Sequence, residues 1–178
     1  MVNWSYRLWQ FWNALRAKPN FQDRELIDRF LTPSLVQVFE RLDPSEQAHA
    51  VRVCRKLIDE GESDSTLLTA ALLHDIGKIC YRLRLWERAW IVIFRWIGKK
   101  MGRQFRLDEE GLEKAVWWKR PLLVGKFHPS WGAALLRSQG VDEPIVWLVA
   151  YHQDAEKVDP THPRFRLLKR LVQADQSS

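Results

Sequence analysis

Histidine is the residue type of this chain whose spacing most directly suggests chemistry. Of the five histidines, four fall within or at the start of predicted helices, namely His49, His74, His128 and His152. They are separated by 25, 54 and 24 residues, and a helix with its turn and part of the next helix takes about 25 residues. In an antiparallel bundle, such spacings can return each imidazole to the same level of the core, so one shared site is geometrically feasible.

The pair His74-Asp75 is the most informative, because it lies at the end of a very apolar helix. Burying an imidazole and a carboxylate there is costly unless both find partners, and a metal ion would satisfy both. Imidazole nitrogen and carboxylate oxygen suit divalent transition metals such as Fe, Mn, Ni or Zn, whereas the absence of cysteine ligands disfavours a structural zinc site. Either both side chains reach one ion from the helix end, or Asp75 bridges two ions.

The string AALLHDIGKI at positions 70–79 resembles the core motif of the HD superfamily of metal-dependent phosphohydrolases. Upstream, His49 in EQAHAVRV matches the first ligand of that pattern, and Asp175 in LVQAD matches the last. The similarity extends over roughly residues 43–176, which is most of the chain. An isolated His-Asp pair would be weak evidence, but the ordered set of ligands in a helical context is specific.

Two further histidines resemble those of the dinuclear branch of the superfamily, which includes cyclic-dinucleotide phosphodiesterases and dinucleoside-polyphosphate hydrolases. They are His128 in HPSWGAALL and His152 in AYHQD. The chain departs from that branch because it lacks the Gly-Tyr-Pro motif of the cyclic-di-GMP phosphodiesterases and has Tyr151-His152 where a His-His doublet is common. Asp154 lies close to His152, where it is a further ligand, a partner that orients an imidazole, or a surface residue.

The resemblance implies a phosphohydrolase that uses one or two divalent ions and a metal-activated water to hydrolyse a phosphate ester or anhydride of a nucleotide or related small molecule. The implied metal ligands are His49, His74, Asp75, His128, His152 and Asp175. Asp75 would bridge the ions, and Lys78, which matches the lysine of the HDxxK pattern, would hold a phosphate oxygen. Asp75 and Lys78 are the implied catalytic residues, although the helix dipole also favours a lysine at a helix end.

The elements that must position these residues are helices. The sequence predicts an all-α fold, a compact multi-helix HD-domain bundle, because it shows no strand-like alternation and no internal repeat. Asp43-Pro44-Ser45-Glu46 carries the signature of a helix start, with a capping aspartate followed by proline at the first helical position. Ser63 or Asp64 caps the next helix, which is expected to be central because apolar residues surround it almost completely.

Later helices carry the remaining candidate ligands. His128-Pro129 is predicted to open a helix that ends at Gly140, and Asp142-Glu143-Pro144 is predicted to open the next. The last predicted helix runs from Phe165 to about Asp175. His162, which lies between the last two predicted helices, is expected at the surface of a loop.

By position, residues 1–42 are predicted to form an N-terminal helical extension packed on the core, and residues 43–178 to form the HD domain. This domain contains a basic, tryptophan-rich insertion at about residues 79–107. Between Ile79 and Leu107 there are eight basic residues and one acidic residue, a net charge of +7, while the whole chain carries +6. The excess positive charge therefore follows directly after the HD motif.

This charge predicts an anionic partner, and three interpretations of the insertion stay open. It packs on the bundle with a solvated basic face, it contacts an anionic membrane surface at the periphery, or it forms an electropositive rim that attracts substrate. The expected small partner is a phosphorylated substrate, with a nucleotide as the first choice. A nucleic-acid partner is disfavoured, because the sequence has no helix-turn-helix, zinc-finger or aromatic sheet motif.

Cysteine usage and hydropathy indicate the compartment. Cys54 and Cys80 are too few for a disulfide framework, and Cys80 is expected in the core rather than as a ligand, which favours a reducing cytoplasm. No apolar run reaches the length of a transmembrane helix, and the N-terminus lacks the features of a secretory signal. A second function stays open beside the enzyme: a metal- and nucleotide-binding regulatory module without significant turnover, peripheral to a membrane in one variant.

Overall fold

The computed structural model describes residues 21–81, Glu87 and residues 114–178. These residues form seven α-helices and two short 3₁₀ helices, and no strand occurs among them. The elements are α1 (Phe21–Phe30), α2 (Pro33–Phe39), α3 (Pro44–Asp59), α4 (Ser65–Leu73), a first 3₁₀ helix (Ile76–Cys80), α5 (Arg120–Ser138), α6 (Glu143–Tyr151), a second 3₁₀ helix (Ala155–Lys157) and α7 (Phe165–Gln176). The prediction of an all-α bundle is confirmed.

The starts of α3 and α4 lie where the sequence predicts them. The Asp43 carboxylate accepts hydrogen bonds from the Ser45 backbone N–H at 3.1 Å and from the Ser45 hydroxyl at 2.8 Å. At α4, the Asp64 carboxylate accepts from the Leu67 N–H at 3.1 Å. Each carboxylate thereby satisfies a backbone donor that the first helical turn leaves without an intrahelical partner.

Helix α4 is central, as its mostly apolar sequence predicts. Every residue from Leu67 to Leu73 is buried, and the helix packs against α3, α6 and α7. The chain leaves α4 at His74, and the first 3₁₀ helix then packs against α5. This buried helix therefore delivers the His74-Asp75 pair to the middle of the bundle.

His128 and Pro129 lie in the interior of α5, so the prediction that they open a helix is wrong. The helix begins at Arg120, and Pro121 occupies its first turn, where a missing N–H costs nothing. Both prolines resemble a start signal, but packing of α5 on the first 3₁₀ helix keeps the chain helical through Pro129. His128 is consequently presented from the middle of a 19-residue helix rather than from its first turn.

The end of the first 3₁₀ helix contradicts one expectation. Cys80 is exposed rather than part of the core, because this short helix buries Ile76 and Gly77 and directs its last residues toward solvent. Cys54 on α3 is buried, and burial raises the pKa of its thiol to about 12.

The structure describes the predicted N-terminal extension and the basic insertion only in part. Helix α1 packs against α3 and α4, and an ion pair of 2.9 Å joins Asp23 of α1 to Arg55 of α3. The rest of the predicted extension, residues 1–20, and most of the basic insertion lie outside the described residues, so the domain boundary stays a prediction. Among residues 21–81 and 114–178, none of the helices combines the length and apolar character that crossing a bilayer requires.

Candidate metal centre

All six predicted ligands converge in the middle of the bundle, where they form two groups that could each hold a metal ion. We call His49, His74 and Asp175 the outer group, and Asp75, His128 and His152 the inner group. Within each group, one ligand atom per residue lies within 4.8 Å of the others. The ligands come from α3, α5 and α7, and from the residues that follow the ends of α4 and α6.

The outer group is built on a contact between α3 and α7. The Nε2 atom of His49 lies 2.8 Å from Oδ1 of Asp175, and the same oxygen lies 3.5 Å from Nε2 of His74. The His49 and Asp175 side chains keep 21% and 29% of their surface exposed, whereas His74 is buried. This group therefore has one face open to solvent.

The inner group is buried more deeply than the outer group. Oδ1 of Asp75 lies 3.0 Å from Nε2 of His128, and Nε2 of His128 lies 3.2 Å from Nε2 of His152. All three residues are buried, with 1% to 4% of their surface exposed. An isolated charge at this depth would be costly, so the group requires partners on every side.

The carboxylate of Asp75 connects the two groups. One of its oxygens faces His128 of the inner group at 3.0 Å, while the other lies 3.3 Å from Nε2 of His74 in the outer group. A carboxylate that faces a ligand of each group with a different oxygen has the arrangement of a bridging ligand between two ions. The geometry thus agrees with the role that the resemblance implies for Asp75.

Backbone hydrogen bonds fix which nitrogen of each buried imidazole faces the centre. His74, His128 and His152 each donate from Nδ1 to a carbonyl three or four residues earlier, over 2.7 to 2.9 Å. When such a ring is neutral, its proton is on Nδ1, and the lone pair of Nε2 points toward the ligand groups. Such second hydrogen bonds orient the imidazoles that hold metals in proteins.

Two features of this geometry fit a bound cation. First, Nε2 of His74 is fully buried and has no hydrogen-bond partner among the described residues, although two carboxylate oxygens lie within 3.5 Å. Second, Nε2 of His128 and Nε2 of His152 face each other at 3.2 Å with both ring protons engaged elsewhere. Facing lone pairs repel unless a positive charge lies near both, and the donor set of imidazole and carboxylate suits a transition metal.

Electrostatics in the centre also favour positive charge. Burial lowers the pKa of His74, but the charge of Asp75 and the approach of Asp175 outweigh it and raise the pKa to about 10. Burial opposes the charge on Asp75 as well, yet Lys78 and His74 hold the pKa of that carboxyl well below its usual range. Burial and the charge of His74 together lower the pKa of His152 to about 3, so this imidazole is neutral at pH 7.

Lys78 lies beside the inner group in a half-buried ion-pair network. Its ammonium donates to Oδ2 of Asp75 at 2.6 Å and to Oε2 of Glu46 on α3 at 2.8 Å. These charges raise the pKa of Lys78 against the effect of its burial. Sequence analysis missed Glu46 as a partner, because the pair is separated by 32 residues and the glutamate already fits a helix-start signature.

A close approach of backbones holds the inner group together. A Cβ atom on Gly77 would lie 2.0 Å from the carbonyl oxygen of His128 and 2.7 Å from the backbone nitrogen of Gly132. Only glycine leaves room for the first 3₁₀ helix and α5 to meet at this distance. Because Asp75 and His128 flank the contact, the contact sets the separation between two ligands of the inner group.

The structure places the other candidate residues away from both groups. Asp154, which was a possible further ligand, is half exposed and forms a surface ion pair of 2.7 Å with Lys157. His162 lies in the connecting loop as expected, and its ring stacks on Trp147 with centroids 4.2 Å apart and planes 7° apart. Gln153 was not singled out from the sequence, yet its side-chain amide nitrogen lies 3.4 Å from Nε2 of His128.

Comparison of the chain with family models, with curated proteins and with solved structures finds no match. The centre must therefore be interpreted from its own geometry. Four imidazoles and two carboxylates in two adjoining groups can hold a metal ion, and the shared carboxylate of Asp75 gives them room for a pair of ions.

Proposed function

We propose that this protein is a metal-dependent phosphohydrolase that acts on a phosphate ester or anhydride of a nucleotide or related small molecule. The observation that carries the proposal is the pair of adjoining ligand groups that share Asp75. The cofactor is one or two divalent ions of Fe, Mn, Ni or Zn, held by the outer and inner groups. The order of the ligands along the chain, which resembles the HD superfamily, supports the same assignment.

With two divalent ions bound, the site would carry a net positive charge that attracts an anionic substrate. Asp75, Asp175 and Glu46 carry three negative charges and Lys78 carries one positive charge. The four histidines would bind metal in their neutral form. Two divalent ions would more than neutralise this set, and the surplus positive charge would attract a phosphate group. Bound divalent ions lower the pKa of water and stabilise the charge that develops on phosphoryl oxygens.

The residues of the chain would prepare the site in three ways. His49 and Asp175 line the open side, so the substrate would approach the outer group first. Nδ1–H hydrogen bonds hold His74, His128 and His152 with their lone pairs directed inward. The Lys78 ammonium holds one oxygen of Asp75 and remains close enough to the centre to receive a phosphate oxygen, as the resemblance implies.

The experiment is a joint measurement of metal content and hydrolysis. Purified protein reconstituted with Mn or Fe is expected to bind metal and to release phosphate from nucleotides, and His74→Ala is expected to lose both properties. The matched control is His162→Ala, which removes the fifth histidine without touching either group. A protein that takes up no metal, or a His74→Ala variant that behaves like the wild type, would overturn the proposal.

The same experiment separates the enzyme from the regulatory module. A module would bind metal and nucleotide tightly but would show no hydrolysis above the rate of the His74→Ala variant. Hydrolysis that depends on added metal and on His74 would identify the protein as an enzyme.

A further inference from the structure

Gln153 joins the buried inner group to solvent. It directly follows His152, and it is exposed while both histidines of the inner group are buried. Its amide nitrogen lies 3.4 Å from Nε2 of His128. The backbone holds it there, because His152 donates from Nδ1 to the Val149 carbonyl and the Asp154 N–H donates to the Tyr151 carbonyl at 2.9 Å.

The direction of this hydrogen bond follows from the tautomer of His128. Its Nδ1–H donates to the Val124 carbonyl at 2.9 Å, so in the neutral form that binds a metal, Nε2 carries a lone pair and accepts. The amide N–H of Gln153 is therefore the donor. An amide is uncharged, so this donor adds no charge to a site that already contains the Asp75 carboxylate.

A metal ion in the inner group would compete with Gln153 for the same lone pair. The lone pair of His128 would then be used by the ion, and the amide N–H would lose its acceptor. An N–H donor beside a cation is repelled by the cation but attracts the oxygen of an anion bound to it. Lys78 directs two of its three ammonium N–H groups to Asp75 and Glu46, so Gln153 offers a second donor beside the one that Lys78 has left.

We propose that Gln153 is a substrate-contacting residue whose side-chain amide donates a hydrogen bond to an oxygen of the phosphoryl group bound at the inner group. The proposal rests on the proposed function, since it needs metal in the inner group. It assigns Gln153 the role of recognising the phosphoryl oxygen rather than that of holding the ion.

The test measures phosphate binding separately from metal binding. Full-length protein and its variants are first titrated with Mn(II), and the Mn-loaded forms are then titrated with inorganic phosphate by calorimetry. Gln153→Ala is expected to bind Mn(II) like the wild type and to bind phosphate about tenfold more weakly, as expected for one hydrogen bond to a charged group. Gln153→Glu is expected to bind phosphate more weakly still, because a carboxylate repels it.

The matched control is Gln139→Ala, an exposed glutamine at the end of α5 that is roughly 16 Å along the helix from His128. It is expected to leave both titrations unchanged. Equal phosphate binding by wild type and Gln153→Ala would overturn the inference while leaving the proposed function intact. Loss of Mn(II) affinity in Gln153→Ala would also overturn it, because the amide would then be a metal ligand. Failure of the wild type to bind Mn(II) would overturn the proposed function and this inference with it.

Discussion

The outer and inner ligand groups lie side by side, but they differ in how the bundle encloses them. The outer group depends on α3 and α7, and its His49 and Asp175 side chains keep more than a fifth of their surface exposed. The inner group is buried, and it depends on a contact between the first 3₁₀ helix and α5 that only glycine allows. The outer group is therefore accessible to solvent, whereas backbone packing fixes the geometry of the inner group.

Substitution of Asp75 is expected to cause the largest loss of metal from the outer and inner groups. Asp75→Asn keeps the shape of the side chain but removes the charge that both groups share, so metal should be lost from both. Asp175→Asn removes a carboxylate from the outer group alone, so the inner group should keep its ion. Elemental analysis of the two variants after Mn loading measures the difference. If Asp75→Asn also loses the ion of one group only, the groups are not connected through Asp75.

The rigidity of the inner group gives the next largest effect. Gly77→Ala would force the first 3₁₀ helix away from α5 and is expected to lower the free energy of unfolding by about 3 kcal/mol. Gly125→Ala on the same α5 is the matched control, because a Cβ there meets nothing within 4 Å. That variant is expected to be as stable as the wild type or up to about 1 kcal/mol more stable. Urea denaturation without metal measures the free energy of unfolding of both variants. Equal values for Gly77→Ala and Gly125→Ala would refute the close approach at Gly77.

The Lys78 network supports the inner group electrostatically. Lys78→Met leaves the carboxylates of Asp75 and Glu46 without their shared ammonium, so the metal-free protein should lose about 2 kcal/mol of stability. Adding Glu46→Gln to this variant should recover part of the loss, because one of the two carboxylates is then neutral. Lys157→Met, which breaks the exposed pair with Asp154, should leave the urea midpoint unchanged. A Lys78→Met protein as stable as that control would mean that the network contributes nothing.

The smallest effect is expected at the histidine outside both groups. His162→Ala removes the ring that stacks on Trp147 and should cost about 1 kcal/mol of stability. Metal content should not change, because the ring lies outside both ligand groups. Thermal unfolding and elemental analysis of the same sample measure both quantities, and a loss of metal would extend the centre to a seventh residue.

The parts of the structure that local sequence determines were predictable. Caps such as Asp43 and Asp64 act within three residues of the helix start, so their signals can be identified without knowledge of the fold. The mostly apolar α4 likewise predicts its own central position. The candidate ligands were identified because their residue types and order resemble a known pattern, and the structure brings all six together.

The parts that depend on distant contacts were not predictable. Pro129 resembles a helix start, and only the packing of α5 on the first 3₁₀ helix shows that the chain stays helical there. Gly77 lets two backbones meet, and the backbone it meets belongs to α5, far along the chain. The partnership of Lys78 with Glu46 spans 32 residues, and the exposure of Cys80 depends on the direction of a short helix. None of these features leaves a local pattern in the sequence.

The most direct test of the central claim is anomalous diffraction from crystals soaked in Mn(II), recorded on both sides of the manganese absorption edge. The account predicts one anomalous peak among His49, His74 and Asp175, and a second among Asp75, His128 and His152, with the Asp75 carboxylate between them. Peaks confined to surface carboxylates, or no peak at either group, would contradict the assignment of this centre as a metal site.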